Sequence, residues 1–156
     1  MNNKIQKIAL LGACLLATTP EITNAHRAKP LQNSREAVRF FSHELEFKTT
    51  PYGVNAVLDG KVKDVIIVDV RSAKDYAEGH IPGAINIPGN EHNYFDGHER
   101  EFKGLRKDKY TYVYCYALLC NLGQKAAKKL ASLGYPVKEI VGGWDEWKKG
   151  GNRIEK

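Results

Sequence analysis

Hydrophobic and polar positions change rhythm several times along the chain. From Ser34, a candidate helix cap, the apolar residues Val38, Phe41 and Leu45 recur at helical spacing and predict a helix over residues 35–47. Pro51-Tyr52-Gly53 marks a turn, residues 54–58 a short helix or strand, and Asp59-Gly60 another turn. Val65-Ile66-Ile67-Val68-Asp69-Val70 is a nearly continuous β-branched run, the pattern of a parallel strand covered on both faces. Ser72 then opens a short helix over 73–78 that Gly79 ends. Residues 84–87 read as a second strand. Residues 88–109 are polar and rich in Gly, Asp and His, with Phe102 and Leu105 as anchors. Residues 110–114 are a third strand. The helix over 121–133 sets Leu122, Ala126, Ala127, Leu130 and Leu133 on one face and Lys125, Lys128 and Lys129 largely on the other, before Gly134 stops it. Residues 137–141 are a fourth strand and 144–148 a closing helical turn. Strands alternating with helices predict an α/β fold, an open parallel sheet flanked by helices on both faces.

The first 25 residues do not share this rhythm. Lys4 and Lys7 precede the apolar run I-A-L-L-G-A-C-L-L-A over residues 8–17, Pro20 breaks it, and Thr23-Asn24-Ala25 offers small residues for cleavage. This is the layout of a secretory signal peptide, and it predicts export to a periplasm or beyond the cell. Two other readings stay open: an amphipathic or buried first helix, which makes the protein cytoplasmic, and a lipoprotein signal with Cys14 as the lipidated residue. The layout is then a signal peptide at 1–25, a polar segment and helix at 26–51, a domain at 52–150 and a tail at 151–156. No apolar run reaches the roughly 18 residues of a membrane span.

Composition narrows the function more than the fold. A chain of 156 residues fits one domain, and 42% hydrophobic with 27% charged residues supports an ordinary core. The formal charge is +6, from 24 basic and 18 acidic residues. The bases are spread among acids and do not interleave with aromatics, so they read as a solvated surface and no nucleic-acid partner is expected. Three cysteines are too few for a disulfide scaffold. His92 and His98 flank Asp96, but the spacing matches no standard ligand set, so no metal is expected.

The chemistry is expected at Cys115. In open parallel sheets ligands bind beyond the carboxyl ends of strands, and Cys115 lies there, in a loop C-Y-A-L-L-C before a helix. Free N–H groups and the positive end of the helix dipole predict a lowered thiol pKa, hence a reachable thiolate nucleophile or sulfur carrier. The plainer alternative is a small buried hydrophobe.

Four stretches in sequence order resemble the rhodanese-like sulfurtransferase family, over roughly residues 52–150. They are Val68-Asp69-Val70-Arg71, the run Glu78-Gly79-His80-Ile81-Pro82-Gly83-Ala84-Ile85-Asn86-Ile87-Pro88, Tyr112-Val113-Tyr114-Cys115, and Leu133-Gly134-Tyr135-Pro136-Val137 followed by Gly142-Gly143-Trp144-Asp145-Glu146-Trp147. The resemblance implies that Cys115 takes the outer sulfur of a donor as a persulfide and passes it to a thiol or cyanide-type acceptor. Loop N–H groups would cradle the sulfur and its charge, and neither metal nor organic cofactor would be needed. It implies that Asp69 and Arg71 hold the fold near the site, and His80 reads as architectural. Trp144 and Trp147 are expected to pack the closing turn.

The active loop departs from that family. Tyr116, Ala117, Leu118, Leu119 and Cys120 supply no Arg to fork onto an oxyanion, which argues against a phosphatase and against thiosulfate as donor. The apolar side chains suggest a drier pocket and a small persulfide or protein persulfide as donor. Cys120 also lies within disulfide reach of Cys115. Two rivals therefore stand beside sulfur transfer: a thiol–disulfide redox protein using Cys115 and Cys120, and a non-catalytic binding module.

Overall fold

The computed structural model describes residues 34–89 and 102–156. The signal-peptide reading of 1–25, Cys14, the polar residues 26–33 and the group His92, Asp96 and His98 lie outside the described residues. Among the described residues the elements run α1 (Ser34–Phe47), β1 (Lys48–Thr49), α2 (Pro51–Leu58), β2 (Val65–Asp69), α3 (Ala73–Glu78), β3 (Ile85–Asn86), β4 (Tyr110–Tyr114), α4 (Leu122–Ser132), β5 (Val137–Ile140) and α5 (Gly143–Lys149). The strands pair in parallel in the order β1-β5-β4-β2-β3.

The alternation of side chains along each strand sorts the core into two layers. Ile66, Val68 and Val70 from β2 and its end join Val113 and Cys115, and pack under Ala126 and Leu130 of α4. Ile67, Tyr112, Tyr114 and Ile140 face the other way, against Val54 of α2 and Trp144 and Trp147 of α5. Helices therefore cover both faces, which is why β2 and β4 carry apolar residues at consecutive positions. Ser72 caps α3 by accepting a hydrogen bond from the Asp75 N–H at 3.1 Å. Phe102 is buried and Leu105 packs beside it, so both anchor the end of the polar 88–109 stretch.

Three features differ from the sequence expectations. Strand β1 is only two residues long, pairing Lys48 with Glu139 and Thr49 with Ile140, and no period can show in so short a run. Pro51 is not a turn residue but starts α2, where its missing N–H costs nothing and its fixed φ suits the first turn. The apolar positions of α1 are not covered: Val38, Phe41 and Leu45 are 66%, 62% and 80% exposed, and no residue of α1 is buried. Helical spacing identified the helix, but nothing among the described residues packs over that face.

The last residues fold back onto the body. His80 and Glu155 exchange backbone hydrogen bonds of 2.9 and 3.0 Å, and Trp147 Nε1 donates to the Arg153 carbonyl at 2.8 Å.

Candidate active site

The crossover from β4 through α4 leads to β5 on one side, while that from β2 through α3 leads to β3 on the other. Strand order thus reverses between β2 and β4, where open parallel sheets form a crevice. Cys115 follows β4 at this point.

The chain holds the Cys115 loop by its backbone. Trp144 N–H donates to the Cys115 carbonyl at 2.8 Å, Asp145 N–H to the Tyr116 carbonyl at 2.9 Å, and Cys120 N–H to the Ala117 carbonyl at 3.0 Å. This close approach needs Gly143. Its φ is +58°, and a Cβ there would collide with the Cys115 carbonyl oxygen and lie 3.1 Å from its carbon and 3.3 Å from Ala117 N. Tyr116 turns back toward α3, donating to Asp75 Oδ2 at 2.6 Å and accepting from Ser72 N–H at 3.1 Å. Hydrogen bonds from Ser72 and then Tyr116 hold the Asp75 carboxyl below its ordinary range.

The thiol of Cys115 is 4% exposed and donates to the Cys120 carbonyl at 3.1 Å. The N–H groups of Gly123 and Ala117 point at its sulfur. The expected low pKa is overturned. Burial, reinforced by the interaction with Cys120, pushes the thiol up to about 12, and the two N–H groups only partly offset this. The loop and helix start carry the anion-stabilising donors anticipated from sequence, but the sulfur is too desolvated for them to prevail. Cys115 and Cys120 are both free thiols.

The cleft beside the thiol holds about 40 Å³, a few times the ~10–15 Å³ that one water needs. The drier pocket expected from Leu118 and Leu119 is not what forms. Leu119 is 96% exposed, Leu118 edges the cleft but is 72% exposed, and the cleft wall also includes the polar Lys48, Gln124 and Glu139. Burial raises the Glu139 carboxyl pKa, while Lys48 and a hydrogen bond from Gln124 act the other way. Sequence reasoning missed Glu139, Gln124, Lys48 and the glycines 123 and 143 as site residues. The signal for Glu139 was present: alternation along β5 puts it on the same face as Val137, an apolar-facing position that carries a charge.

Asp69 and Arg71 sit behind the loop, 0% and 2% exposed. Arg71 Nε lies 3.1 and 3.0 Å from the Asp69 carboxylate oxygens and Nη2 donates to Oδ2 at 2.6 Å. Nη2 also donates to the Gly79 carbonyl at 2.7 Å, and the guanidinium lies 4.4 Å from the Trp144 ring centroid. Arg71 therefore ties β2, α3 and α5 together and is committed to that role. His80 Nδ1 hydrogen-bonds the Tyr76 carbonyl at 2.9 Å, and its ring stacks on Tyr76. Trp147 is fully buried and Trp144 nearly so. Among the described residues no group of three His, Cys, Asp or Glu could hold a metal ion, and no helix is long and apolar enough to cross a membrane.

Residues 54–150 match the family model of the rhodanese-like domain. The chain belongs to this family. Among rhodanese-like relatives, it is 33% identical over 104 residues to the thiosulfate sulfurtransferase GlpE of Pseudomonas putida, covering 66% of this chain and 86% of that protein. It is 35% identical over 111 residues to the adenylyltransferase and sulfurtransferase UBA4 of Candida albicans, covering 65% of this chain but only 23% of that longer protein. The solved structure of the BH2092 protein from Bacillus halodurans is similar with a TM-score of 0.68 and 38% identity, over 78% of this chain and 85% of that one.

Proposed function

We propose that this rhodanese-like domain is a sulfurtransferase that carries sulfane sulfur as a persulfide on Cys115. The observation that carries the reading is the sulfur's setting. Cys115 opens on a cleft sized for a small group, and the Gly123 and Ala117 N–H groups aim at its sulfur. The Cys115 sulfur, after losing its proton to water, attacks the outer sulfur of a donor. The donor's S–S bond breaks, and the bonding electron pair leaves with the rest of the donor. An acceptor thiol then attacks the outer sulfur and regenerates Cys115. Because the resting group is the thiol, the ionised fraction limits the first step, and loading accelerates as pH rises. The partners on this reading are a small sulfur donor, or a protein persulfide, and a thiol acceptor. The names of the GlpE and UBA4 relatives support the same chemistry. Export belongs to this proposal, supported by the apolar run after Lys4 and Lys7; N-terminal sequencing of the mature protein should begin at His26.

A second reading has its own support. Cys115 donates its S–H to the Cys120 carbonyl, and the Cys120 thiol acts on the Cys115 thiol, so the pair is placed to be tested for thiol–disulfide exchange. Cys120→Ser separates the readings: sulfur loading persists if Cys115 is the carrier, and redox cycling is lost if the pair is the working unit.

A further inference from the structure

The wall of the Cys115 cleft carries a carboxylate that the sulfur-transfer reading has not used. Glu139 lies in the middle of β5, paired with Lys48 of β1 on one side and Val113 of β4 on the other. Its side chain leaves the sheet on the face covered by α4, where Val113 and Cys115 also point. Gly123, in the first turn of α4, leaves a gap there. A Cβ at Gly123 would lie 3.8 Å from Glu139 Oε1 and 3.9 Å from Cys115 Sγ. Carboxylate and thiol thus face the same small space, with no side chain between them at that point.

The cleft wall itself carries one cation, Lys48, and one carboxylate, Glu139, and Glu44 outside the wall offsets the cation. Lys48 Nζ is already held by Glu44 Oε2 at 2.6 Å. Glu44 and Glu139 together exceed it by one charge. Gln124, which hydrogen-bonds Glu139, is neutral. The loop adds no Arg to reverse the sign.

Resting on the sulfurtransferase reading, we propose that Glu139 is the residue that selects the donor: its carboxylate repels dianionic donors such as thiosulfate and admits hydropersulfides, R–S–SH, which bring at most one negative charge. With a hydropersulfide the balance is simple. The Cys115 sulfur bonds to the terminal sulfur, the S–S bond of the donor breaks, and R–S⁻ leaves with the bonding pair and takes up the proton that Cys115 released. No external oxidant or reductant enters.

The test compares thiosulfate with cysteine hydropersulfide, whose carboxylate and ammonium cancel so that it carries at most one net negative charge, at pH 8 in the full chain, as wild type and Glu139→Gln. The substitution keeps the shape and removes one charge. A unit charge close to a dianion in a partly desolvated cleft should change the thiosulfate-to-hydropersulfide ratio of kcat/KM roughly tenfold or more. The expected result is that rise in Glu139→Gln, with added salt raising thiosulfate use in wild type more than in the variant. An unchanged ratio, with both proteins still loading from hydropersulfide, overturns the donor selection alone. No loading from either donor in either protein overturns the sulfurtransferase reading and the selection with it.

Discussion

Replacing Gly143 by Ala tests how tightly the backbone of α5 clasps the Cys115 loop. Three terms set the size of the effect. A non-glycine residue at the observed φ of +58° costs about 1–2 kcal/mol in conformational strain. The new methyl also collides with the Cys115 carbonyl and crowds Ala117 N, all of it backbone, so relief requires moving the loop. Overpacking of this kind costs about 1–3 kcal/mol, and the Trp144–Cys115 hydrogen bond at stake contributes about 1 kcal/mol. The total is about 4 kcal/mol, or a fall of about 10–15 °C in Tm for a chain of this size. Gly134→Ala is the control. Its φ is +85°, but nothing lies within 4 Å of the added methyl, so only the strain remains, about 1–2 kcal/mol. Urea unfolding of both variants measures the difference. If Gly143→Ala is no more destabilised than Gly134→Ala, the close contact between Gly143 and the loop is not present in solution.

Further outcomes follow from the buried groups. Arg71→Met should cost about 3–5 kcal/mol by stranding the Asp69 carboxylate in the core, and Asp69→Asn in the same chain should restore part of that in a double-mutant cycle. Tyr116→Phe removes the hydroxyl that joins the loop to Asp75 and Ser72; urea unfolding should show a loss of about 1 kcal/mol, and proteolysis at the loop should quicken. The folded Cys115 pKa is raised, so the unfolded thiol ionises first; stability should be full below ~8.5 and decline as pH climbs toward about 12, and Cys115→Ala should flatten that decline. Alkylation of Cys115 should accelerate about tenfold per pH unit through pH 9, read by mass spectrometry, and a plateau near pH 7 would contradict the burial argument.

The sheet was legible because β2 and β4 are buried on both faces and carry the unbroken apolar runs that such burial requires. Cys115 was legible from its place after β4. What escaped was whatever depends on nonlocal geometry. Strand β1 gains its identity only by pairing with β5. The thiol's pKa is decided by how deeply the sulfur is buried, while local sequence shows only the helix start that opposes the shift. Leu118 and Leu119 looked like pocket lining, yet both are largely exposed, only Leu118 edges the cleft, and β5 and β1 bring Glu139 and Lys48 to it. Asp69 and Arg71 could be placed near the site from motif order, but the fork onto one carboxylate and the Gly79 carbonyl appears only in three dimensions.

The central claim is that Cys115 carries sulfur, and intact mass tests it most directly. The purified protein and Cys115→Ser should each be weighed before and after exposure to thiosulfate and to cysteine hydropersulfide, then again after a reductant. The account predicts that wild type gains one sulfur atom from the hydropersulfide, loses it on reduction, and that Cys115→Ser gains none. A wild-type mass that gains no sulfur from either donor would contradict it; loss of two hydrogens under mild oxidation in its place would turn the site into a Cys115–Cys120 redox pair.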